Sequence, residues 1–326
     1  MNTLRIVIVT PAAPGTRHGN RSTALRWAKH LRALGHRISV MVEWDGSDCD
    51  VMIALHARRS HPSILRWKRT HASHPPSHPP SHPLVLVLTG TDLYRDLRTH
   101  DEARESLRVA DRVIVLQPKG LEELDAASRA KTRVIFQSVK PVKRQQTPRR
   151  YFLVTVIGHL REEKDPFRAA RALCHLPAGS RIRVVHLGGA MSAEAEREAR
   201  TLMQAEPRYR WLGELSHAGA MRWLARSHAM VISSRMEGGA HVVSEAIAAG
   251  VPVIASDIAG NVGLLGDAYP GCYPVGDEQA LAALLSRAET DRKFIRSLAA
   301  AVKAQRSATD PKAERLALSQ LLAELF

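Results

Sequence analysis

The stretch Ser234–Val253, SRMEGGAHVVSEAIAAGVPV, decides the reading of this chain. A β-branched run, Met230–Ser233, precedes it and predicts a strand. The pair Gly238 and Gly239 follows, and a helix begins near Val242. Glycines between a strand end and a helix N-terminus expose backbone N–H groups, and the helix dipole favours an anion there. Glu237 and Glu245 are separated by seven residues. Glu245 falls in the first turn of the predicted helix. A carboxylate there can accept both hydroxyls of a ribose, each charge-assisted bond contributing about 1.5–3 kcal/mol. A plain N-capped helix with an acidic first turn fits this stretch equally well.

A second stretch tips that balance. Val156–Pro166, VIGHLREEKDP, again follows a predicted strand with a glycine and opens a helix. Gly158 permits close approach of the chain, while Arg161 and Lys164 can place positive charge over a diphosphate. One strand-end loop with N–H groups and another with cations make a nucleotide-diphosphate site. In doubly wound sheets ligands bind at the carboxyl ends of the strands.

Working outward, the runs Leu4–Thr10, Arg37–Val42, Val51–Leu55, Leu84–Thr89, Arg112–Leu116 and Arg133–Phe136 read as strands of a first parallel sheet. Ala24, Trp27, Ala28, Leu31 and Leu34 recur at helical spacing between the first two, and Gly35 ends that helix. Ser138–Arg150, SVKPVKRQQTPRR, is polar and basic with two prolines and reads as a linker. A second series follows, with strands at Tyr151–Ile157, Ile182–Leu187, Tyr209–Leu212, Met230–Ser233 and Val251–Ala255. Helices are expected at Pro166–Leu176, Ala193–Glu206, His217–Arg226 and Val243–Ala249, with helical pattern dominating from Asp277 onward. The expected domains are 1–142 and 143–310, with a terminal helix, 311–326, packing back on the first through Leu318, Leu321, Leu322 and Leu325.

The length of 326 residues suits two such domains, since single cores stop growing at about 250–300 residues. Apolar content of 44% and charged content of 24% are those of a folded soluble protein. Three cysteines form no disulfide scaffold and fit a cytoplasmic location. No apolar run is long enough to span a membrane, so no integral membrane association is expected. The net charge of +15 suits an anionic partner or simple solubility. The basic residues are dispersed, and no zinc finger, homeodomain or aromatic–basic RNA motif occurs, so no nucleic acid partner is expected. No G-x-G-x-x-G with a following acidic residue is present, which disfavours a dehydrogenase. The segment Ser73–Pro83, SHPPSHPPSHP, carries His74, His78 and His82. It reads as an exposed, extended loop rather than a metal tract, because diproline spacing does not converge histidines on one ion.

The second half resembles the nucleotide-binding domain of GT-B glycosyltransferases. That group's pattern of Glu, seven residues, Glu, a small-residue helix and Gly-Val-Pro-Val is matched by Glu237, Glu245 and Gly250-Val251-Pro252-Val253. Its upstream Gly-Arg-Leu…Glu-Lys element is matched by Gly158, Leu160, Glu163 and Lys164, with His159 where the family carries arginine. The resemblance implies an α/β, GT-B architecture: two doubly wound Rossmann-like domains facing across a cleft. It implies a UDP-sugar donor, with Lys164 on the diphosphate and Glu245 on the ribose. Glu237 would sit beside the sugar. Backbone amides from Gly238 and Gly239 through Ala240, His241 and Val242 would hold the phosphates, Leu212 would border the base, and Gly158, His159 and Arg161 would complete the donor loop. No tightly bound cofactor and no metal are implied.

The first half resembles the acceptor domain of the same group. Its Thr10–Asn20 loop, TPAAPGTRHGN, would face the reaction centre through Gly19 and Asn20. In TGTDLYRD, Thr89–Asp96, many relatives carry a catalytic histidine where this chain has Thr89. Together HGNRSTALRWAKHLRALGHRI, LTGTDLYRDL, VIGHLREEKDP and the Ser234 stretch resemble one subgroup, the selenosugar synthases of selenoneine biosynthesis. That resemblance implies selenophosphate as acceptor, which needs cations rather than a general base. The candidates for its binding are Arg17, His18, Arg21, Asp92 and Arg95. A GT-B enzyme acting on a sugar, lipid or small-molecule hydroxyl is the second reading. A nucleotide-sugar or nucleic-acid binding protein without turnover is the third.

Overall fold

The computed structural model describes residues 3–16, 19–72 and 81–326. The chain divides into two compact units, Met1–Gln137 with Pro311–Phe326, and Ser138–Asp310. The division falls after Gln137, a little before the expected residue 142, because the connecting segment runs along the second unit. There Val139 N–H donates to the Thr309 carbonyl (3.0 Å), and Gln145 N–H to that of Ala225 (3.0 Å).

In the first unit six parallel strands form one sheet. They are β1 (Arg5–Val9), β2 (Arg37–Met41), β3 (Val51–Leu55), β4 (Leu84–Leu88), β5 (Arg112–Val115) and β6 (Thr132–Val134), in the order β2-β1-β3-β4-β5-β6. Every residue of β3 and β4 is buried, as expected of strands covered by helices on both faces. The terminal helix Pro311–Ala323 belongs to this unit. Its Leu318, Leu321 and Leu322 join Ile6, Ile8, Trp27 and Leu31 in one core cluster. Buried Glu314 accepts from Trp27 Nε1 (2.7 Å) and Arg26 Nε (3.1 Å), so its charge is paired rather than stranded.

The second unit repeats the plan with β7 (Phe152–Ile157), β8 (Ile182–Leu187), β9 (Tyr209–Trp211), β10 (Ala229–Ile232), β11 (Val253–Ser256) and β12 (Cys272–Tyr273). The order is β12-β11-β10-β7-β8-β9. The expected strand at Val251–Ala255 starts later, since Gly250 closes the preceding helix in a left-handed conformation. The expected helix Pro166–Leu176 is a short α-helix, Arg168–Ala172, tightened into a 3₁₀ turn at Leu173–His175. In each unit one pair of neighbouring strands marks the reversal of strand order, β1 beside β3 and β7 beside β10. That is where such sheets open a crevice at their carboxyl ends.

Candidate active site

The β7/β10 reversal brings together two loops that are far apart in sequence. Gly158, His159 and Lys164 follow β7, and Ser233 and Ser234 follow β10; together they line a pocket that His186 also reaches. The loop after β8 is pressed against the first of these. Gly188 has φ +153°, and a Cβ there would stand 1.9 Å from the Gly158 carbonyl oxygen, so only glycine fits. His186 is fully buried and spans the same loops. Its Nε2 donates to the Gly158 carbonyl (3.1 Å), which leaves Nδ1 to accept from the Tyr209 hydroxyl (3.0 Å). Burial pushes its pKa down to about 4, so the ring is neutral.

His159, standing where the family carries arginine, is a loop brace in this structure. Its Nδ1 accepts from Gly189 N–H (3.1 Å). Lys164 lies further along the same loop, and its ammonium pairs with Glu237. Ser234 Oγ donates to the same carboxylate oxygen (2.7 Å), and Arg235 N–H donates to the Glu163 carbonyl (2.8 Å). Arg161 is half-buried, and its Nε has no hydrogen-bond partner. On the far side of Glu237 lies the helix Ala259–Leu265; a Cβ on Gly260 would stand 1.9 Å from the Glu237 carbonyl oxygen. That contact was not anticipated from sequence. The signal available was the Gly-Asn pair, Gly260–Asn261, a few residues past a strand end.

The helix behind Gly238 and Gly239 runs His241–Ala249, with Ala240 at its N-cap and no side-chain cap. Val243 N–H turns back to the Ala240 carbonyl (2.8 Å), and no side chain caps this helix start, where the dipole favours an anion. The expected acidic first turn is corrected: no acidic residue lies there, and Glu245 stands on the second turn. The difference arises because the helix begins with His241 and all four first-turn residues precede Glu245. The Glu245 carboxylate is buried and accepts from His217 Nε2 at 2.7 Å; His241 Nε2 is 3.6 Å from the same oxygen. Leu212, just past β9, is held by its N–H to the His186 carbonyl (2.9 Å).

In the first unit, Arg17 and His18 lie outside the described residues, as do His74 and His78. Gly19 and Asn20 open the helix Gly19–Ala33 after the β1 loop. Arg21 is half-buried with its Nη1 unpartnered. Arg95 Nε donates to Asp96 (3.1 Å). Asp92 stands apart from the other acceptor candidates. Fully buried, it accepts from the N–H groups of Thr89 (2.9 Å), Gly90 (2.9 Å) and Ala57 (2.9 Å), and from Thr89 Oγ1 (3.2 Å). Its lone pairs serve the loop, and a carboxylate in this setting repels an anionic acceptor. Sequence reasoning missed His56, at the end of β3. It is buried with φ +75°, rare for a non-glycine residue, and its Nε2 lies 3.1 Å from Thr91 Oγ1. Nothing in its sequence neighbourhood marks that conformation.

Among the described residues no group of three or more His, Cys, Asp or Glu could hold a metal ion, and no helix is long and apolar enough to cross a membrane.

Two doubly wound parallel sheets, one with an N–H-rich helix start and a lysine at its strand reversal, define a GT-B fold with a candidate anion site. Residues 139–305 match the family Glycosyl transferases group 1, and the chain belongs to that family and is a glycosyltransferase. Similar solved structures agree on the fold. Sucrose-phosphate synthase from Thermosynechococcus elongatus is 18% identical with a TM-score of 0.79, covering 99% of both chains. Anabaena HepE in complex with UDP and glucose is 16% identical with a TM-score of 0.75, covering 98% of this chain and all of the other. A glycosyltransferase from Rickettsia africae is 13% identical with a TM-score of 0.75, covering all of this chain and 99% of the other. No curated protein matches the chain.

Proposed function

We propose that this glycosyltransferase uses a UDP-sugar, UDP-glucose or UDP-N-acetylglucosamine, and transfers the sugar to the selenium of selenophosphate. The observation that carries the donor half is the pairing of Lys164 with Glu237 beside an uncapped helix start at the β7/β10 reversal. Support also comes from Anabaena HepE, a similar fold solved with UDP and with UDP-glucose. In this reading Lys164, assisted by Arg161, neutralises the diphosphate, and amides from Gly238 to Val242 bind its oxygens. Glu245 takes the ribose hydroxyls, Glu237 adjoins the sugar, and Leu212 borders the base. No metal or tightly bound cofactor is needed.

The acceptor half rests on the subgroup resemblance and on Thr89. A selenium anion is soft and already deprotonated near neutral pH, so it needs no general base where relatives place a histidine. Selenium attacks the anomeric carbon, the C–Se bond forms, and the C–O bond to UDP breaks. Water then cleaves the P–Se bond, leaving phosphate and a 1-seleno-sugar. Arg17, His18, Arg21 and Arg95 are the assigned phosphoryl contacts, with Gly19, Asn20 and Thr89 near the reaction centre. The gain comes mainly from positioning and leaving-group electrostatics.

The test is UDP release from UDP-glucose or UDP-N-acetylglucosamine, with and without selenophosphate. Release that depends on selenophosphate, with a selenium-containing sugar among the products, supports the reading. Release only with an alcohol acceptor overturns the acceptor half, and UDP binding without any release overturns transfer itself.

A further inference from the structure

The contact between His217 and Glu245 is unusual in its asymmetry. The Glu245 carboxylate is 6% exposed, whereas the His217 side chain that reaches it is 72% exposed. His217 is the first residue of the helix His217–Ala225, and the N-cap Ser216 fixes that start by accepting from Gly219 N–H (3.1 Å). A cation at a helix N-terminus is disfavoured by the helix dipole. Lys140, on the connecting segment, opposes it as well. Glu214, earlier in the same loop, turns toward Gly189 instead. Glu245 and His241, both on the helix His241–Ala249, are the titratable groups facing the His217 ring from that helix. The Glu245 carboxylate is thus the contact that favours a charged His217.

We propose that His217 is a placeholder for the ribose diol: it holds Glu245 through their hydrogen bond, yields it to the donor nucleotide, and couples donor binding to proton release. This rests on the assignment of Glu245 to the ribose. The hydrogen bond to Glu245 raises the His217 pKa above its ordinary value. A diol that takes over Glu245 removes that contact, leaving the helix dipole and Lys140 to drive the proton off. Above the raised pKa the ring is neutral before and after binding, and affinity is highest. As pH falls through that value toward the ordinary value of about 6.5, the diol must displace a charged imidazolium, and affinity drops. Below that range His217 is charged in both states, and its contribution no longer changes.

The experiment is calorimetric titration of UDP-glucose, whose diphosphate diester keeps its charge over this range, between about pH 8.5 and about pH 6. Wild-type affinity is expected to weaken by about threefold or more toward the acid end, and His217→Asn to flatten that slope. The exposed position of His217 makes this variant well tolerated. In parallel, the His217 imidazole pKa, followed by NMR, is expected to fall when UDP-glucose saturates the protein. A slope retained in His217→Asn, a flat wild-type profile or an unmoved imidazole pKa each overturns the proposal while leaving donor binding intact. No affinity for UDP-glucose at any pH overturns the donor assignment and this inference with it.

Discussion

Lys164 and Glu237 stand 73 positions apart in the chain and form an ion pair at the β7/β10 reversal. Neither is fully exposed: the lysine side chain is 25% and the carboxylate 12% accessible. Ser234 Oγ shares the same carboxylate oxygen, so Glu237 fixes the lysine against a rigid partner. Removing the ammonium leaves a half-buried carboxylate at the place assigned to a diphosphate. Lys164→Met is therefore expected to weaken UDP binding by at least about tenfold, a loss of about 1.4 kcal/mol or more. Calorimetry with UDP checks this, and circular dichroism should report an unchanged fold.

Glu245→Ala tests the second contact. The variant removes a carboxylate that His217 and the assigned ribose both use, without opening the sheet core. Turnover is expected to fall more than about tenfold while the urea midpoint moves little, the lost pair being anchored on one side by an exposed imidazole. Near-normal turnover in both Glu245→Ala and Lys164→Ala would remove the basis of the site assignment.

The two sheets were legible in the sequence because their strands are short β-branched runs between amphipathic helices, as in Val51–Leu55 and Leu84–Leu88. The two-residue β12, Cys272–Tyr273, was not: it carries too few residues to form a pattern. The residue types of the site were legible from Gly238, Gly239 and Lys164. Their partners were not. His217 meets Glu245 only because the helices His217–Ala225 and His241–Ala249 pack together, and Lys164 meets Glu237 only because β10 pairs with β7 rather than with β9. His56 escaped notice because a positive φ in a histidine has no local sequence signature.

Asp92 gives a prediction for the first unit. One oxygen accepts from Thr89 and Gly90 N–H, and the other from Ala57 N–H at 2.9 Å. Asparagine has only one acceptor oxygen, so Asp92→Asn must turn an amide NH₂ against one of these buried donors. The expected cost is about 1–3 kcal/mol. Chemical denaturation measures it, and the loop from Thr89 should lose amide-exchange protection first.

His186 links stability to pH. Its folded-state pKa of about 4 lies below the ordinary 6.5, so the unfolded chain binds the extra proton first as the solution is acidified. The stability it contributes is complete above about pH 6.5 and declines as pH falls toward its folded value. Urea midpoints measured across this range should fall with acidity, and His186→Gln should reduce the slope. Other histidines, the buried His56 and the half-buried His228 among them, have pKa values lowered by burial too, so part of the slope is expected to persist.

Gly188 supplies the sharpest structural prediction. At φ +153° it occupies backbone space that an L side chain strongly disfavours, and its would-be Cβ lies 1.9 Å from the Gly158 carbonyl oxygen. That oxygen also accepts from His186 Nε2 at 3.1 Å, so the Gly158 loop cannot retreat without breaking a buried hydrogen bond. Gly188→Ala should therefore cost more than an ordinary surface change, about 2 kcal/mol or more. It should also displace the loop that carries His159 and leads to Lys164. UDP affinity is expected to fall along with the melting temperature, whereas Gly179→Ala, with open space around its Cβ position, should leave both nearly unchanged. Equal melting temperatures for the two variants would mean that the strand-end loops are not locked together at Gly158.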